Sequence, residues 1–338
     1  MKAPRILAAT IASLLLASRA FAAIEIWDGG GANDNISTAL NWIDDTAPAS
    51  DIANTDLIFS GGTRLTPNVI GLFSTHSVIF DNVVSGAAVG FAIGGQQLNL
   101  GTGGILNSDS HTAQFSNTLN FSGVATSSIN AGSGALYLFS NLTLPTGTLT
   151  VTGSSDTLIV GDISGTGTLS KTGAGTMSWT KEGLVGEPLD VSIDITVGSG
   201  TLSLGLSSLL PVVHSGATLA VNGGALNLDG GLTLDGGTLT RATGATLNLA
   251  AGKTLTVQNG GDVDMTGAFT NSTASTITVT GAGSSFTGSS TLAFGGPSGS
   301  TLNVFAGAAV TATGFNIGTG GDGTATVSGS GSSMNGGS

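Results

Sequence analysis

A chain of 338 residues with 56 Gly, no Cys and only 8% charged side chains has no disulfide staples and no Cys-ligated metal, and its 40% hydrophobic content excludes the composition of a disordered chain. A formal net charge of −12 repels phosphate backbones and anionic lipid, which excludes nucleic acid and a polybasic membrane contact as partners. A folded, β-rich, tight-turned body stabilised by strand ladders is the expectation.

Residues 1–22 read as a secretory signal, with Lys2 and Arg5 at the start, an apolar run over 6–17, and Ala20-Phe21-Ala22 as the cleavage site. Export is therefore expected, and removal of Lys2, Arg5 and Arg19 leaves the mature chain more acidic still. Residues 23–85 differ from the remainder of the chain. Two of the three Trp lie here, in Ile26-Trp27-Asp28-Gly29 and Leu40-Asn41-Trp42, and this segment reads as an N-terminal cap leading into the first strands. An alternative use of Trp27 and Trp42, beside Asp28, Asp44 and Asp45, is a carbohydrate platform, because sugars stack on exposed indoles.

Residues 86–338 read as one repeat region. Its first half holds short strands of period two at 97–100, 135–139, 142–144, 148–151 and 158–160, separated by Gly, Asn, Ser and Asp. No amphipathic helical pattern occurs in the mature chain. Next comes Leu169-Ser-Lys171-Thr-Gly173-Ala-Gly175-Thr-Met177-Ser-Trp179, answered by Gly200-Thr-Leu202-Ser-Leu204-Gly205. This pair of segments resembles the autotransporter-associated β-strand repeat. Met177 and Trp179 replace the usual Leu of that pattern and keep an apolar side chain on the same parity. The resemblance implies attachment to, or secretion through, the outer envelope of a Gram-negative bacterium.

On physical grounds alone, one parity carries Leu169, Lys171, Gly173, Gly175, Met177 and Trp179, which in an unbroken strand sets a Lys among apolar residues. The two glycines predict a break or bulge, and Lys171 is expected to snorkel to solvent.

Strand segments then begin at Leu219, Leu226, Leu232, Leu239, Leu247 and Leu255, at short and nearly even steps. Three such steps make a coil of roughly 20 to 23 residues, which predicts a right-handed parallel β-helix, or β-solenoid. Stacked β-sandwich hairpins are the alternative; these need regular Asn-Gly or Asp-Gly turns, and only scattered ones occur. The stretch beginning Thr276-Ile-Thr-Val-Thr-Gly returns at Thr324, 48 positions on, and two coils account for it.

Chemistry is sparse. Asp229-Gly-Gly, Asp235-Gly-Gly and Gly320-Gly321-Asp322-Gly323 lack the nonapeptide register of calcium rolls and read as turns, so no metal and no cofactor is expected. His76, His111 and His214 stand isolated and read as surface or corner residues. Asp190 with Asp194, and Asp262 with Asp264, share strand parity without a nearby Arg, Lys or His.

These features predict a non-catalytic exported repeat protein, passenger-like or stalk-like and adhesive, with surface glycans or other cell-surface components as partners. A secreted polysaccharide lyase or hydrolase on a β-helix is the competing reading. The chain ends at Ser338 inside a repeat copy, so a truncated product is expected, its membrane barrel or anchor missing and residues beyond about 320 poorly ordered or sticky when the chain is made alone.

Overall fold

The computed structural model describes residues 22–84, 89–181, 188–205, 210–296, 299–318 and 320–337; the signal-like segment lies outside them except for Ala22. Strands dominate, and the 3-10 turn Ala39–Asn41 is the one helical element among the described residues. Pairing between strands is parallel from Ala23–Trp27 through Ser333–Gly336, giving a β-solenoid of about 12 turns. Parallel ladders cannot arise from hairpins, so the sandwich alternative is excluded.

Local sequence explains the coil. In Thr218–Val221, Thr238–Arg241 and Thr254–Gln258, β-branched and apolar residues alternate with Thr, so one parity is buried and the other faces out. Gly-containing corners bend the chain between strands. Coil length varies modestly in the body, from the short step that pairs Thr218 with Thr238 to the longer one that pairs Thr168 with Asp194. Thr276 pairs with Thr301, and Thr301 with Thr324, so the echo of the Thr276 stretch at Thr324 is two stacked coils of similar length.

Stacking turns parity into columns. One inward column runs through Leu149, Leu169, Ile195, Leu219, Leu239 and Val263, all at most 1% exposed. The next inward position runs through Val151, Lys171, Val197, Val221, Arg241 and Met265, so both buried cations of this region stand in one column.

The first coil is longer than those of the body, with Ala23 paired to Thr55. Its extra length carries the turn Ala39–Asn41 and Trp42, which folds back on Trp27 with ring centroids 5.3 Å apart at 90°. From there an aromatic spine follows the axis: Phe59 lies 5.7 Å from Phe80, and Phe80 lies 5.6 Å from Phe115. Such edge and offset contacts add to the area that these rings bury.

At the other end, the last strands continue the stack. Gly323–Ser328 pairs with Ser300–Phe305, and Ser333–Gly336 pairs with Ala309–Ala312. Val327 is nevertheless 44% exposed, although it continues the inward column of Val279 and Val304.

Candidate functional site

The repeat motif is not one strand. Leu169 and Lys171 lie on Thr168–Lys171, Met177 and Trp179 lie on Thr176–Thr180, and Gly173 and Gly175 make the corner between them. Leu169, Met177, Trp179, Leu202 and Leu204 are all buried, and the Trp179 Nε1–H donates to Gly161 O at 2.9 Å.

Lys171 corrects the expectation of snorkelling. It is 2% exposed, and its Nζ donates to Thr172 O at 2.8 Å and Gly173 O at 3.1 Å. The corner carbonyls take the place of water, so the side chain bends over its own strand end instead of reaching out. Gly200 belongs to the same construction. Its φ is +68°, and a Cβ there would stand 2.7 Å from Lys171 Nζ and 2.2 Å from Gly173 O. The Lys and the later Gly of the motif therefore occupy one corner in adjacent coils. Gly205, also at positive φ, follows the strand Thr201–Leu204.

Arg241 repeats the device further along the same column. Its Nη1 donates to Ala245 O at 3.0 Å and its Nη2 to Ala268 O at 2.8 Å, and its guanidinium carbon lies 5.9 Å from the Phe269 ring centroid.

Trp27 and Trp42 form no carbohydrate platform. They are 1% and 0% exposed, with the Trp42 Nε1–H donating to Ile36 O at 2.8 Å and that of Trp27 to Thr63 O at 3.3 Å. Sugar stacking requires a free indole face, and here the faces are occupied by each other and by Phe59. Exposed aromatic surface lies instead on the strand Leu136–Leu138 and the residue after it. Tyr137 and Phe139 point outward, alternating with buried Leu136 and Leu138, with centroids 6.0 Å apart at 79° and Phe139 37% exposed. Tyr137 is flanked in register by Gln114 and Leu158, and Ser140 follows Phe139 in the chain. The chain's single Tyr is legible as outward from the Leu-Tyr-Leu alternation, a signal that the larger indoles overshadow.

The remaining outer faces are hydroxyl-rich. Thr254, Thr276, Thr301 and Thr324 form one column, and Thr256, Thr278, Asn303 and Thr326 its neighbour. Beside them lies a trough of about 250 Å³ lined by Ser275, Thr276, Ser300, Thr301 and Asp322 among others.

The carboxylates also need correction. Asp190 and Asp194 sit on different strands, Leu189–Val191 and Asp194–Val197, which belong to different sheets, so they share no face. Asp190 has a histidine partner after all, since its Oδ1 lies 2.9 Å from His214 Nε2. Asp194 accepts from Thr218 N at 2.9 Å, and Asp262 accepts from the Ser285 hydroxyl. The other histidines are likewise paired: His76 Nδ1 lies 2.7 Å from Asp56 Oδ1, and His111 Nδ1 lies 2.5 Å from Asp109 Oδ1. Among the described residues no three His, Asp or Glu converge as a metal site.

Several carboxyls lie below the usual range. Hydrogen bonds from Thr66 and Arg64 lower Asp34, those from Asn54 and Ala53 N lower Asp51, and those from Asn259 and Gln258 lower Asp235. For Asp109, burial works upward and is outweighed by His111 and by the Val83 N–H. A depressed carboxyl stabilises the fold above its unfolded value of about 3.9, and that contribution disappears as pH falls through the folded value. Stability is therefore expected to stay level from neutral down to about pH 5 and to fall below about pH 4. Denaturant midpoints measured across that range test it; a midpoint that rises on acidification contradicts it.

No protein-family model, curated protein or solved structure matches the chain.

Proposed function

We infer that the chain is an exported repeat protein of a Gram-negative envelope and that its solenoid body works by display, adhering to neutral glycans on another surface. The observation that carries this reading is the outward aromatic pair Tyr137 and Phe139, flanked by the Gln114 amide on one side and the apolar Leu158 on the other. Aromatic faces with neighbouring amide and hydroxyl groups suit sugar C–H and O–H groups, and an acidic body disfavours anionic polymers. The signal-like residues 1–22 and the autotransporter-type motif from Leu169 to Gly205 support export and envelope location. For a polysaccharide lyase or hydrolase, convergent carboxylates are needed; the separation of Asp190 from Asp194 removes one of the two candidate pairs, and Asp262 and Asp264 share one strand with no third carboxylate, His or Cys gathered beside them among the described residues.

Binding to a neutral glycan array tests the adhesive reading. The double replacement Tyr137→Ala with Phe139→Ala is expected to weaken the strongest signal by about tenfold, or about 1.4 kcal/mol, with the unfolding midpoint little changed. Equal binding by the parent and the variant rejects that face as the contact.

A further inference from the structure

The parallel register breaks at one place with chemical consequence. Between the strands Phe73–Val83 and Leu98–Asn107, Thr75 pairs with Leu100 and the next matched pair is Ser77 with Gly104. Gly101, Thr102 and Gly103 therefore stand opposite the single residue His76. Bulges of this kind re-aim a side chain, and here the one re-aimed is the Thr102 hydroxyl.

Its oxygen lies 3.2 Å from His76 Nε2, while Nδ1 of the same ring lies 2.7 Å from Asp56 Oδ1 on the strand Asp51–Gly61. A carboxylate at Nδ1 holds the proton there and leaves Nε2 as the acceptor, so the Thr102 O–H donates to it. The Ser77 hydroxyl donates to the same Asp56 oxygen and fixes its orientation.

The glycines on either side make the approach possible. A Cβ on Gly103 would lie 2.8 Å from His76 Cε1, and one on Gly101 would lie 2.2 Å from Ile52 O and 2.9 Å from His76 Cα. The bulge is anchored from the following coil, where the buried Ser127 hydroxyl donates to Gly101 O at 2.7 Å. Thr102 is exposed and the side chains of His76 and Asp56 are 29% and 19% exposed, so the hydroxyl can be reached from solvent.

A hydroxyl on an imidazole that is oriented by a carboxylate is the arrangement of nucleophile, base and positioning acid used in acyl transfer. We propose that Thr102 is an activated nucleophile that cleaves small, uncharged acyl esters, an activity separate from display by the solenoid body.

Thr102 Oγ1 attacks the ester carbonyl carbon and forms a C–O bond as its proton passes to His76 Nε2. The tetrahedral adduct collapses, the bond to the alcohol breaks, and the departing alkoxide takes that proton. Water then attacks the acyl-threonine by the same route, giving the carboxylic acid and restoring Thr102. No oxidation state changes. Asp56 acts through His76 as a positioning residue.

The test uses the full chain with p-nitrophenyl acetate, following p-nitrophenol release and mapping the acetylated peptide by mass spectrometry. Acetylation is expected on Thr102, and Thr102→Val and His76→Gln are each expected to lower the rate by about 100-fold or more. Thr102→Ser keeps the hydroxyl and is expected to retain both adduct and turnover. Asp56→Asn is expected to move the midpoint of the pH–rate profile, an effect that a purely structural role would not produce. Equal rates for the parent and a folded Thr102→Val variant, or acetyl confined to lysines, overturn the proposal.

Discussion

Replacing Trp42 with alanine is expected to cost about 3–5 kcal/mol of folding stability, near the top of the range for single core substitutions. The indole is fully buried, donates to Ile36 O, and touches both Trp27 and Phe59, whose centroid lies 6.0 Å away. Removing it opens a cavity at the head of the aromatic spine and strips the Ile36 carbonyl of its donor. Urea unfolding followed by circular dichroism reads the loss. Trp42→Phe, which keeps much of the volume but loses the N–H, is expected to fall between the two. A loss below about 1 kcal/mol for the alanine variant would show that the first coil contributes little to the stack.

The second large effect is expected at Gly200. Alanine there meets a positive φ and a backbone oxygen 2.2 Å from its Cβ, and about 2–4 kcal/mol is expected to be lost. Because the same Cβ also crowds Lys171 Nζ, Lys171→Met is expected to relieve part of that loss and no more, since the contact with Gly173 O remains. A double-mutant cycle measures the coupling, and strict additivity would mean that the two residues do not share the corner.

The lysine adds a pH signature to the cycle. Burial pulls its ammonium below the usual Lys value, with the charge of Asp156 opposing. Folding then disfavours the charged form, so the penalty is present at neutral pH and lifts as pH rises through the folded value toward the unfolded one near about 10.4. The parent is accordingly expected to gain on Lys171→Met in alkali.

What could be read from the residues, and what could not, depends on the distance over which each cause acts. Period-two alternation and Gly spacing act within a strand and a corner, and they sufficed for the solenoid and for coils close to the length found. The burial of Lys171 depends on Gly200, one coil away, and no local pattern reveals that the corner carbonyls converge. Two of the three histidine pairs have the same origin, whereas His111 meets Asp109 two residues before it. His76 meets Asp56 and His214 meets Asp190, at sequence separations of 20 and 24, which are coil lengths. The partner of each thus lies one coil upstream, beyond the reach of any short-range motif. For the indoles both cap packing and an exposed platform were open, because side-chain size indicates large buried area without saying which surface is covered, and the fold buries both.

Lys171 and Arg241 also bear on how a chain of near-identical rungs finds a single alignment. Threonine and leucine columns match almost equally well after a slip of a whole coil, so they discriminate poorly between registers. A chain slipped by one coil would move an ammonium or guanidinium into the place now held by Val197 or Met265, away from the corner carbonyls that receive it, and an uncompensated buried charge costs several kcal/mol. The two cations thus act as index marks along an otherwise repetitive ladder, excluding false alignments that the hydrophobic columns alone would accept.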